Sequence, residues 1–176
     1  MAQDLLGKLL VRKIGDEFLA GKIVEVEAYL QNDPAAHSFN GKTERNSAMF
    51  LMGGHLYVYF TYGMHYCANI VTESENHGSA VLLRALEPVM GLETLRNNRK
   101  RLLKEKDLTN GPAKLCQAFG ITKQLNKADL TKNDIFCTYN DNDDFVIEKT
   151  GRIGIKKGTD KLWRFYIKDN PFVSAK

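Results

Sequence analysis

Two glutamates and one arginine stand at positions where charged side chains are uncommon. Glu25 and Glu27 alternate with apolar residues in the segment 18–30, which predicts a strand carrying both carboxylates on one face. Arg84 interrupts the apolar segment 81–86, where a second strand is predicted. Because a buried arginine needs an anionic partner, either glutamate could pair with it. The pattern fits a structural ion pair as well as a carboxylate base in a polar pocket.

Tyrosines are the second unusual feature, because four of them fall within ten residues. They are Tyr57, Tyr59, Tyr62 and Tyr66. Aromatic residues in strands usually pack in a core, but Tyr62 precedes Gly63 at a predicted hairpin turn, where burial is difficult. With Met64 beside it, this tyrosine could enter a stack of nucleic-acid bases. Tyr29 and Tyr59 could stack on a base that is held in a pocket.

Other motifs give weaker signals. Residues 36–43 match a relaxed phosphate-binding loop, but Ala36 replaces its first glycine and no long helix is predicted behind it. Residues 140–144 resemble the start of a calcium loop without its later Gly and Glu, and a solvated turn is predicted there. The three cysteines and four histidines have no zinc-ligand spacing, so we expect free thiols and no structural metal.

Length and composition limit the class of protein. A chain of 176 residues with 43% hydrophobic and 26% charged residues is long enough for one domain with its own core. Disorder, collagen and a small disulfide scaffold are excluded, and no apolar run reaches the roughly 18 residues of a membrane span. The net charge is +4, with basic residues grouped in segments 96–106 and 152–164. Such groups are usually solvated, although two of them allow a polyanionic partner.

The periodicity predicts an α+β fold around an antiparallel sheet. Helices are expected at 45–51, 93–104 and from Pro112 to Gly120. Pro88 is expected to end the strand that begins at residue 79. The predicted strands are 18–30, 55–61, 66–72, 79–86, 135–139, 145–148, 151–155 and 162–167.

At these residues the sequence resembles the alkyladenine (3-methyladenine) DNA glycosylases of the mammalian type. The matching stretches occur in the family's order and cover nearly the whole chain. They are VEVEAY at 24–29, AHS at 36–38, RN at 45–46, MF at 49–50, LYVY at 56–59, YGM at 62–64, Asn69, VLLRALEP at 81–88, GLET at 91–94, GPAKLCQ at 111–117, RIG at 152–154 and RFY at 164–166.

The resemblance implies a fold, an activity and a setting. It implies one compact domain over residues 1–176 with a curved antiparallel sheet and a few helices, similar in architecture to formyltransferase C-terminal domains. Such enzymes flip alkylated or deaminated purines out of duplex DNA and hydrolyse the N-glycosidic bond with water. They are monofunctional and need neither a metal nor an organic cofactor. We therefore expect a monomer that acts on damaged double-stranded DNA in the bacterial cytoplasm, at the nucleoid and not at a membrane.

The resemblance also implies roles for individual residues in the catalytic site. Glu27 would be the general base, and Arg84 would hold the water and Glu27 in place with the main chain at Ile153. A base pocket would surround the flipped purine, with Asn69 crowding its 2-position. The other pocket residues would be Tyr29, His37 and Tyr59.

Four further residues would contact DNA. Tyr62 would fill the gap left by the flipped nucleotide, with Met64 beside it, and Arg45 and Lys114 would face the DNA backbone. The chain departs from the family where Glu44 replaces the proline of a Thr-Pro-Arg-Asn motif. This departure affects loop detail and DNA affinity and leaves the implied catalytic residues intact.

The sequence is also compatible with two other functions. A non-catalytic nucleic-acid-binding domain on the same fold would need the basic surface and Tyr62, but not Glu27 beside Arg84 in a closed pocket. A nucleotide-binding enzyme would need the weak phosphate-loop motif at residues 36–43 to be real. Excision of a damaged base distinguishes the glycosylase from both.

Overall fold

The computed structural model describes residues 1–100, 104–132, 134–140 and 144–174. Within these residues the chain forms eight strands and two α-helices. The strands are β1 (Leu9–Ile14), β2 (Glu17–Tyr29), β3 (Leu56–Thr61), β4 (His65–Val71), β5 (Ala80–Met90), β6 (Ile135–Thr138), β7 (Ile147–Thr150) and β8 (Arg164–Ile167). The helices are α1 (Leu92–Arg99) and α2 (Pro112–Ala118), with short 3-10 turns at Gln3–Leu5, Ser47–Phe50, Glu105–Asp107 and Lys123–Leu125.

The long strand β2 is the centre of a curled antiparallel sheet. The strands of the sheet follow the order β3-β4-β5-β2-β1-β6. Off this path, β8 pairs with β2, and β7 pairs with β8. β5 covers one edge of β2, whereas the other edge is shared, first by β1 up to Lys22 and then by β8 from Glu25 to Glu27. Register shifts on either side of Glu25 mark a bulge, which bends the strand where its partner changes.

Two apolar clusters hold this sheet in place. The larger packs α1 and α2 against the sheet, and the second surrounds the 3-10 turn at Ser47–Phe50. The larger cluster contains several large side chains that are fully buried, among them Leu10, Leu19, Ile23, Leu83, Leu86, Leu95, Leu115 and Phe119. The second holds the loop between β2 and β3 against the ends of β3, β4 and β5. This loop therefore has a fixed position beside the carboxyl end of β2.

The predicted α+β fold with an antiparallel sheet is confirmed. The β3–β4 hairpin and the helix that opens at Pro112 occur as predicted, and Gly120 follows that helix with a φ of 59°. The short helix expected at 45–51 is the 3-10 turn at Ser47–Phe50.

Several predicted boundaries were wrong. The strand at 79–86 continues through Pro88 to Met90, because β4 pairs with β5 only as far as Leu82 and no described strand needs a backbone N–H from Pro88 on that edge. The helix of 93–104 ends at Arg99, where Lys100 takes the left-handed conformation with a φ of 51°.

The other differences lie at the two ends of the chain. β1 was not predicted, the strand at 145–148 lies at Ile147–Thr150, and residues 151–155 form a loop in place of a strand. Residues 101–103 of the predicted helix and residues 141–143 of the calcium-loop segment lie outside the described residues. Among the described helices, none is long and apolar enough to cross a membrane.

Candidate active site

The two glutamates and Arg84 meet in a buried cluster between β2 and β5. Both carboxylates are inaccessible to solvent, and Arg84 is 7% exposed. Arg84 Nε donates a hydrogen bond to Glu25 Oε1 at 2.9 Å, and its Nη1 lies 3.2 Å from Glu27 Oε1. The question left open by the sequence is therefore answered, because Arg84 pairs with both glutamates and not with one of them.

Glu27 is held from three directions, by one ion pair and two hydrogen bonds. Besides Arg84, the backbone N–H of Ile153 donates to Oε1 at 2.7 Å, and the Tyr29 hydroxyl donates to Oε2 at 2.9 Å. Burial and the neighbouring Glu27 carboxylate raise the pKa of Tyr29, so its hydroxyl stays protonated as a donor. Every partner of Glu27 is thus a donor, as suits an ionised carboxylate that can only accept.

A cavity of about 390 Å³ opens directly beyond Tyr29. Five of its fifteen lining residues carry aromatic rings, and the rings of His37 and Tyr59 meet edge to face with centroids 4.6 Å apart. The walls include Tyr29, His37, Tyr57, Tyr59 and Asn69, and basic residues at the rim include Arg45, Lys156 and Lys157. Tyr29 both lines the cavity and bonds to Glu27, so the buried carboxylate lies immediately behind the cavity wall. A cavity of this size and lining suits a flat aromatic ligand.

The polar groups in this wall are fixed by one another. Tyr57 Oη is 2.9 Å from His37 Nδ1, and the Asn69 amide donates to the Tyr57 carbonyl oxygen at 3.1 Å. Partial burial and the charge of Arg45 lower the pKa of His37, while burial raises the pKa of Tyr57 to about 12. Burial also raises the pKa of Tyr59. These three side chains are therefore uncharged near neutral pH.

A second buried ion pair positions the loop that carries Ile153. Arg152 pairs with Asp33 and donates to the carbonyl oxygens of Ala28 at 2.9 Å and Gly158 at 3.2 Å. Its guanidinium also lies over the Tyr29 ring, 4.6 Å from the centroid. Arg152 thus fixes the neighbouring N–H of Ile153 on Glu27.

Asp33 keeps its negative charge in this buried position. Burial alone would raise the pKa of Asp33, but hydrogen bonds from Arg152 and from the backbone N–H of Ala35 outweigh it and lower the pKa. Neither Asp33 nor Arg152 was singled out from the sequence. Arg152 lies within the RIG stretch of the resemblance and begins the basic segment 152–164, but neither pattern pointed to a pairing with Asp33.

The tip of the β3–β4 hairpin projects beside the mouth of the cavity. Tyr62 is 87% exposed and Met64 is 70% exposed, as their place in a turn predicted. Tyr62 and Gly63 both have positive φ angles, of 49° and 67°, which glycine tolerates and tyrosine rarely adopts. Tyr62 lines the cavity mouth, so the aromatic tip and the aromatic pocket are adjacent.

The two predicted backbone contacts lie in different places. Arg45 lies at the cavity and its Nη2 is 3.4 Å from the carbonyl oxygen of Phe60. Lys114 lies on α2, outside the cavity lining, and donates to Asn110 Oδ1 at 2.7 Å. The structure therefore brings Arg45 to the site and leaves Lys114 on a separate element.

The phosphate-loop motif at residues 36–43 has no supporting geometry in the described chain. After Thr43 the chain forms only the four-residue 3-10 turn at Ser47–Phe50, so residues 36–43 are not followed by the helix that a phosphate loop requires. In the part of the chain that the structure describes, no group of three or more His, Cys, Asp or Glu residues could hold a metal ion.

The site is thus a buried carboxylate behind a cavity with aromatic walls, on a curled antiparallel sheet. The methylpurine-DNA glycosylase family matches residues 1–171. A protein of Francisella tularensis subsp. tularensis (strain SCHU S4 / Schu 4) is 50% identical over 179 residues, which cover 99% of this chain and 92% of that protein. One of Carboxydothermus hydrogenoformans is 50% identical over 183 residues, covering 100% of this chain and 93% of its own. Both carry the printed name "Putative 3-methyladenine DNA glycosylase".

These similarities extend over the whole of the fold and site described above. The chain belongs to the methylpurine-DNA glycosylase family, a family of DNA-repair hydrolases. The resemblance found in the sequence is thereby confirmed, and DNA is the substrate that the family defines.

Proposed function

We propose that this protein is a monofunctional glycosylase that removes damaged purines from duplex DNA and leaves an abasic site. The proposed lesions are alkylated or deaminated purines, namely 3-methyladenine, 7-methylguanine, hypoxanthine and ethenoadenine. The observation that carries the proposal is the buried Glu27 carboxylate, which three donors hold directly behind an aromatic cavity. We further propose that residues 1–176 act as one glycosylase domain, as a monomer, on nucleoid DNA in the bacterial cytoplasm.

The proposed reaction is an attack by water on C1′ of the flipped nucleotide. Glu27 accepts a proton from the water as the oxygen–C1′ bond forms and the C1′–N bond breaks. The electron pair of the broken bond goes to the ring nitrogen, so a cationic alkylated purine leaves as a neutral base, whereas a neutral lesion such as hypoxanthine leaves as an anion that takes a proton from water. A carboxylate oxygen accepts more than one hydrogen bond, so Oε2 can hold the water beside the Tyr29 hydroxyl. A general base of this kind contributes on the order of 10² to 10⁴ in rate.

Arg84 and the main chain at Ile153 would position the general base, Glu27, in this reaction. The Ile153 N–H donates to Oε1 of Glu27 and Arg84 forms an ion pair with the same oxygen, which leaves Oε2 as the oxygen bonded to the cavity-lining Tyr29. Because the two donors lie on different elements, the carboxylate cannot rotate without losing at least one of them.

The cavity would select the damaged purine. Tyr29 and Tyr59 would stack on the purine, and a cationic, electron-poor ring gains from aromatic faces by cation–π attraction. The walls contain uncharged His37 and Tyr57, which do not repel such a cation. Asn69 is fixed by its hydrogen bond to Tyr57 and would crowd the 2-amino group of normal guanine.

The hairpin tip would keep the nucleotide out of the helix. Tyr62 would fill the gap in the base stack, and Met64 would pack beside it. Arg45 at the cavity and Lys114 on α2 would contact phosphates, which adds a salt-dependent contribution to affinity. Flipping costs a few kcal/mol and least for a damaged or poorly paired base, so selection begins before the pocket.

Excision from defined duplexes tests the proposal. The protein is incubated with duplexes carrying a single lesion or with methylated DNA, and abasic sites are revealed by alkaline strand scission. We expect release of the base by the wild-type protein, no scission without alkali, and a loss of about 10² to 10⁴ in single-turnover rate for Glu27→Gln. Glu93→Gln, the same change at an exposed position on α1, should leave the rate unchanged.

Two results would contradict the proposal. Binding of damaged duplex without release of any base would favour the non-catalytic nucleic-acid-binding function. Undiminished release by Glu27→Gln would reject Glu27 as the base.

A further inference from the structure

We propose that Glu25 is a positioning residue for this reaction and acts through Arg84. Ser174, distant in the sequence, fixes Glu25 and Arg84 relative to each other. The inference rests on the proposed function of Glu27. Glu25 belongs to the buried cluster, but it does not line the cavity, and its carboxylate is inaccessible to solvent. Glu27 is equally buried, but its Oε2 contacts the cavity-lining Tyr29, whereas the partners of Glu25 lie outside the cavity lining. Any effect of Glu25 on the reaction must therefore pass through its neighbours.

The contacts of Glu25 are more numerous than those of Glu27. Its Oε1 accepts from Arg84 Nε at 2.9 Å, from Arg164 Nε at 2.6 Å and from the Ser174 hydroxyl at 2.9 Å. Its Oε2 accepts from the backbone N–H of Ser174 at 2.7 Å. Four donors from three separate segments thus converge on one carboxylate.

Arg84 is held at every nitrogen of its guanidinium. Nε contacts Glu25 at 2.9 Å, Nη2 donates to the Ser174 hydroxyl at 3.3 Å, and Nη1 is 3.2 Å from Glu27. A guanidinium is planar and rigid, so fixing Nε and Nη2 also fixes where Nη1 points. Glu25 and Ser174 together therefore determine how Arg84 meets Glu27.

The charges of the cluster support the same roles for Glu25 and Arg84. Two carboxylates, Glu25 and Glu27, face two guanidiniums, those of Arg84 and Arg164. Arg164 is occupied by Glu25, by the Thr150 hydroxyl at 3.2 Å and by the carbonyl oxygen of Ser174 at 3.5 Å. The negative charge of Glu25 is shared between Arg164 and Arg84. Glu25 therefore does not fully neutralise Arg84, and the remaining positive charge of Arg84 lies beside Glu27.

A single-turnover comparison tests whether Glu25 acts on the chemical step. We expect Glu25→Gln to lower the excision rate by about 10- to 100-fold, because a misplacement of about 1 Å can cost that much. Its Kd for lesion-containing duplex should stay within about threefold of the wild type, since no DNA-facing group changes. Glu87→Gln is the matched control, because Glu87 lies on β5 and pairs with Lys22 of β2 at 2.8 Å, away from Glu27. Its excision rate should match the wild type.

A double-mutant cycle separates positioning from a merely structural role. In Arg84→Lys the single amine cannot contact both carboxylates, so the link from Glu25 to Glu27 is broken. Adding Glu25→Gln to Arg84→Lys should then change the rate by less than about threefold, which is non-additive with the effect in the wild-type background. If the two substitutions multiply, Glu25 does not act through Arg84 and the proposal is overturned.

Ser174→Ala provides a second route if Glu25→Gln does not fold. It removes the hydroxyl that bridges Glu25 and Arg84 and keeps the backbone N–H contact. We expect a loss of about 3- to 10-fold in the wild-type background, as for one buried hydrogen bond, and none in Arg84→Lys. An unchanged rate for Ser174→Ala would overturn the role of Ser174. Failure of wild-type excision, or a normal rate for Glu27→Gln, would instead reject the proposed function itself.

Discussion

The buried cluster around Glu27 and the tip of the β3–β4 hairpin depart from ordinary protein structure in opposite ways. In the cluster, two carboxylates and two guanidiniums lie inside the protein. At the tip, the aromatic side chain of Tyr62 and the apolar side chain of Met64 lie in solvent. Burial of charge is costly unless each charge is paired, whereas exposure of a single apolar side chain is common and nearly free.

The two regions differ in how much the stability of the fold depends on them. Each charge of the cluster has partners on other strands, so removing one side chain leaves others buried without a partner. The tip makes no such contacts, and Tyr62 is even held in a left-handed conformation that costs about 1 kcal/mol or more. Stability and activity should therefore fall together in the cluster and separate at the tip.

Arg84→Met should produce the largest loss of stability. It leaves Glu27 without a charged partner and Glu25 with only one, and breaking a buried pair from one side costs about 3–5 kcal/mol. Chemical denaturation at pH 7 measures the free energy of unfolding, and excision should be lost as well. Arg96→Met, at an exposed pair with Glu105, should stay within about 0.5 kcal/mol of the wild type. Equal losses in the two variants would contradict the contrast between buried and exposed charge.

Asp33→Asn extends the same test to the second buried pair. We expect a loss of about 3 kcal/mol at pH 7, because Arg152 loses its carboxylate partner. Since the pKa of Asp33 in the folded protein lies below its ordinary value of 3.8, its contribution is fully present above that value and is lost as the pH falls through the folded pKa. Denaturation between pH 7 and pH 3 should show the gap between wild type and variant narrowing in acid. A gap that widened in acid would give the opposite sign and refute the assignment.

Tyr62→Ala should separate the two properties at the tip. The side chain has few contacts to lose, so the free energy of unfolding should stay within about 0.5 kcal/mol of the wild type. Flipping, followed with a fluorescent base analogue, should weaken by about tenfold, because aromatic stacking on a base is worth about 1–3 kcal/mol. Tyr139→Ala removes another tyrosine that is 80% exposed but lies off the hairpin, and it should leave flipping unchanged. Unchanged flipping in Tyr62→Ala would count against the wedge.

Much of this contrast was visible in the sequence because each region disturbs a local pattern. Arg84 stands in an apolar strand and Tyr62 stands in a turn, and neither irregularity needs knowledge of the fold. The strands β2, β3 and β4 could be predicted for the same reason, since their side chains alternate or are β-branched and aromatic.

The support around these residues could not be predicted in this way. Ser174 lies 149 residues from Glu25 and Arg152 lies 119 residues from Asp33, so no local spacing links either pair. β1 was missed because its later residues are exposed and its pairing with β2 depends on the sheet. The strand through Pro88 was cut short because only the fold reveals that β4 has already ended there.

His37 provides the smallest and most local test, at the cavity between the two regions. Partial burial and the charge of Arg45 lower its pKa, so NMR titration of its ring should show a midpoint below the ordinary 6.5. The fold then disfavours the protonated ring, and the contribution of His37 to stability is lost as the pH falls below 6.5. Arg45→Gln should move the midpoint upward, whereas Lys42→Gln in the same loop should move it less. A midpoint above 6.5 would mean a charged cavity wall near neutral pH, which would repel the cationic bases that the site is proposed to bind.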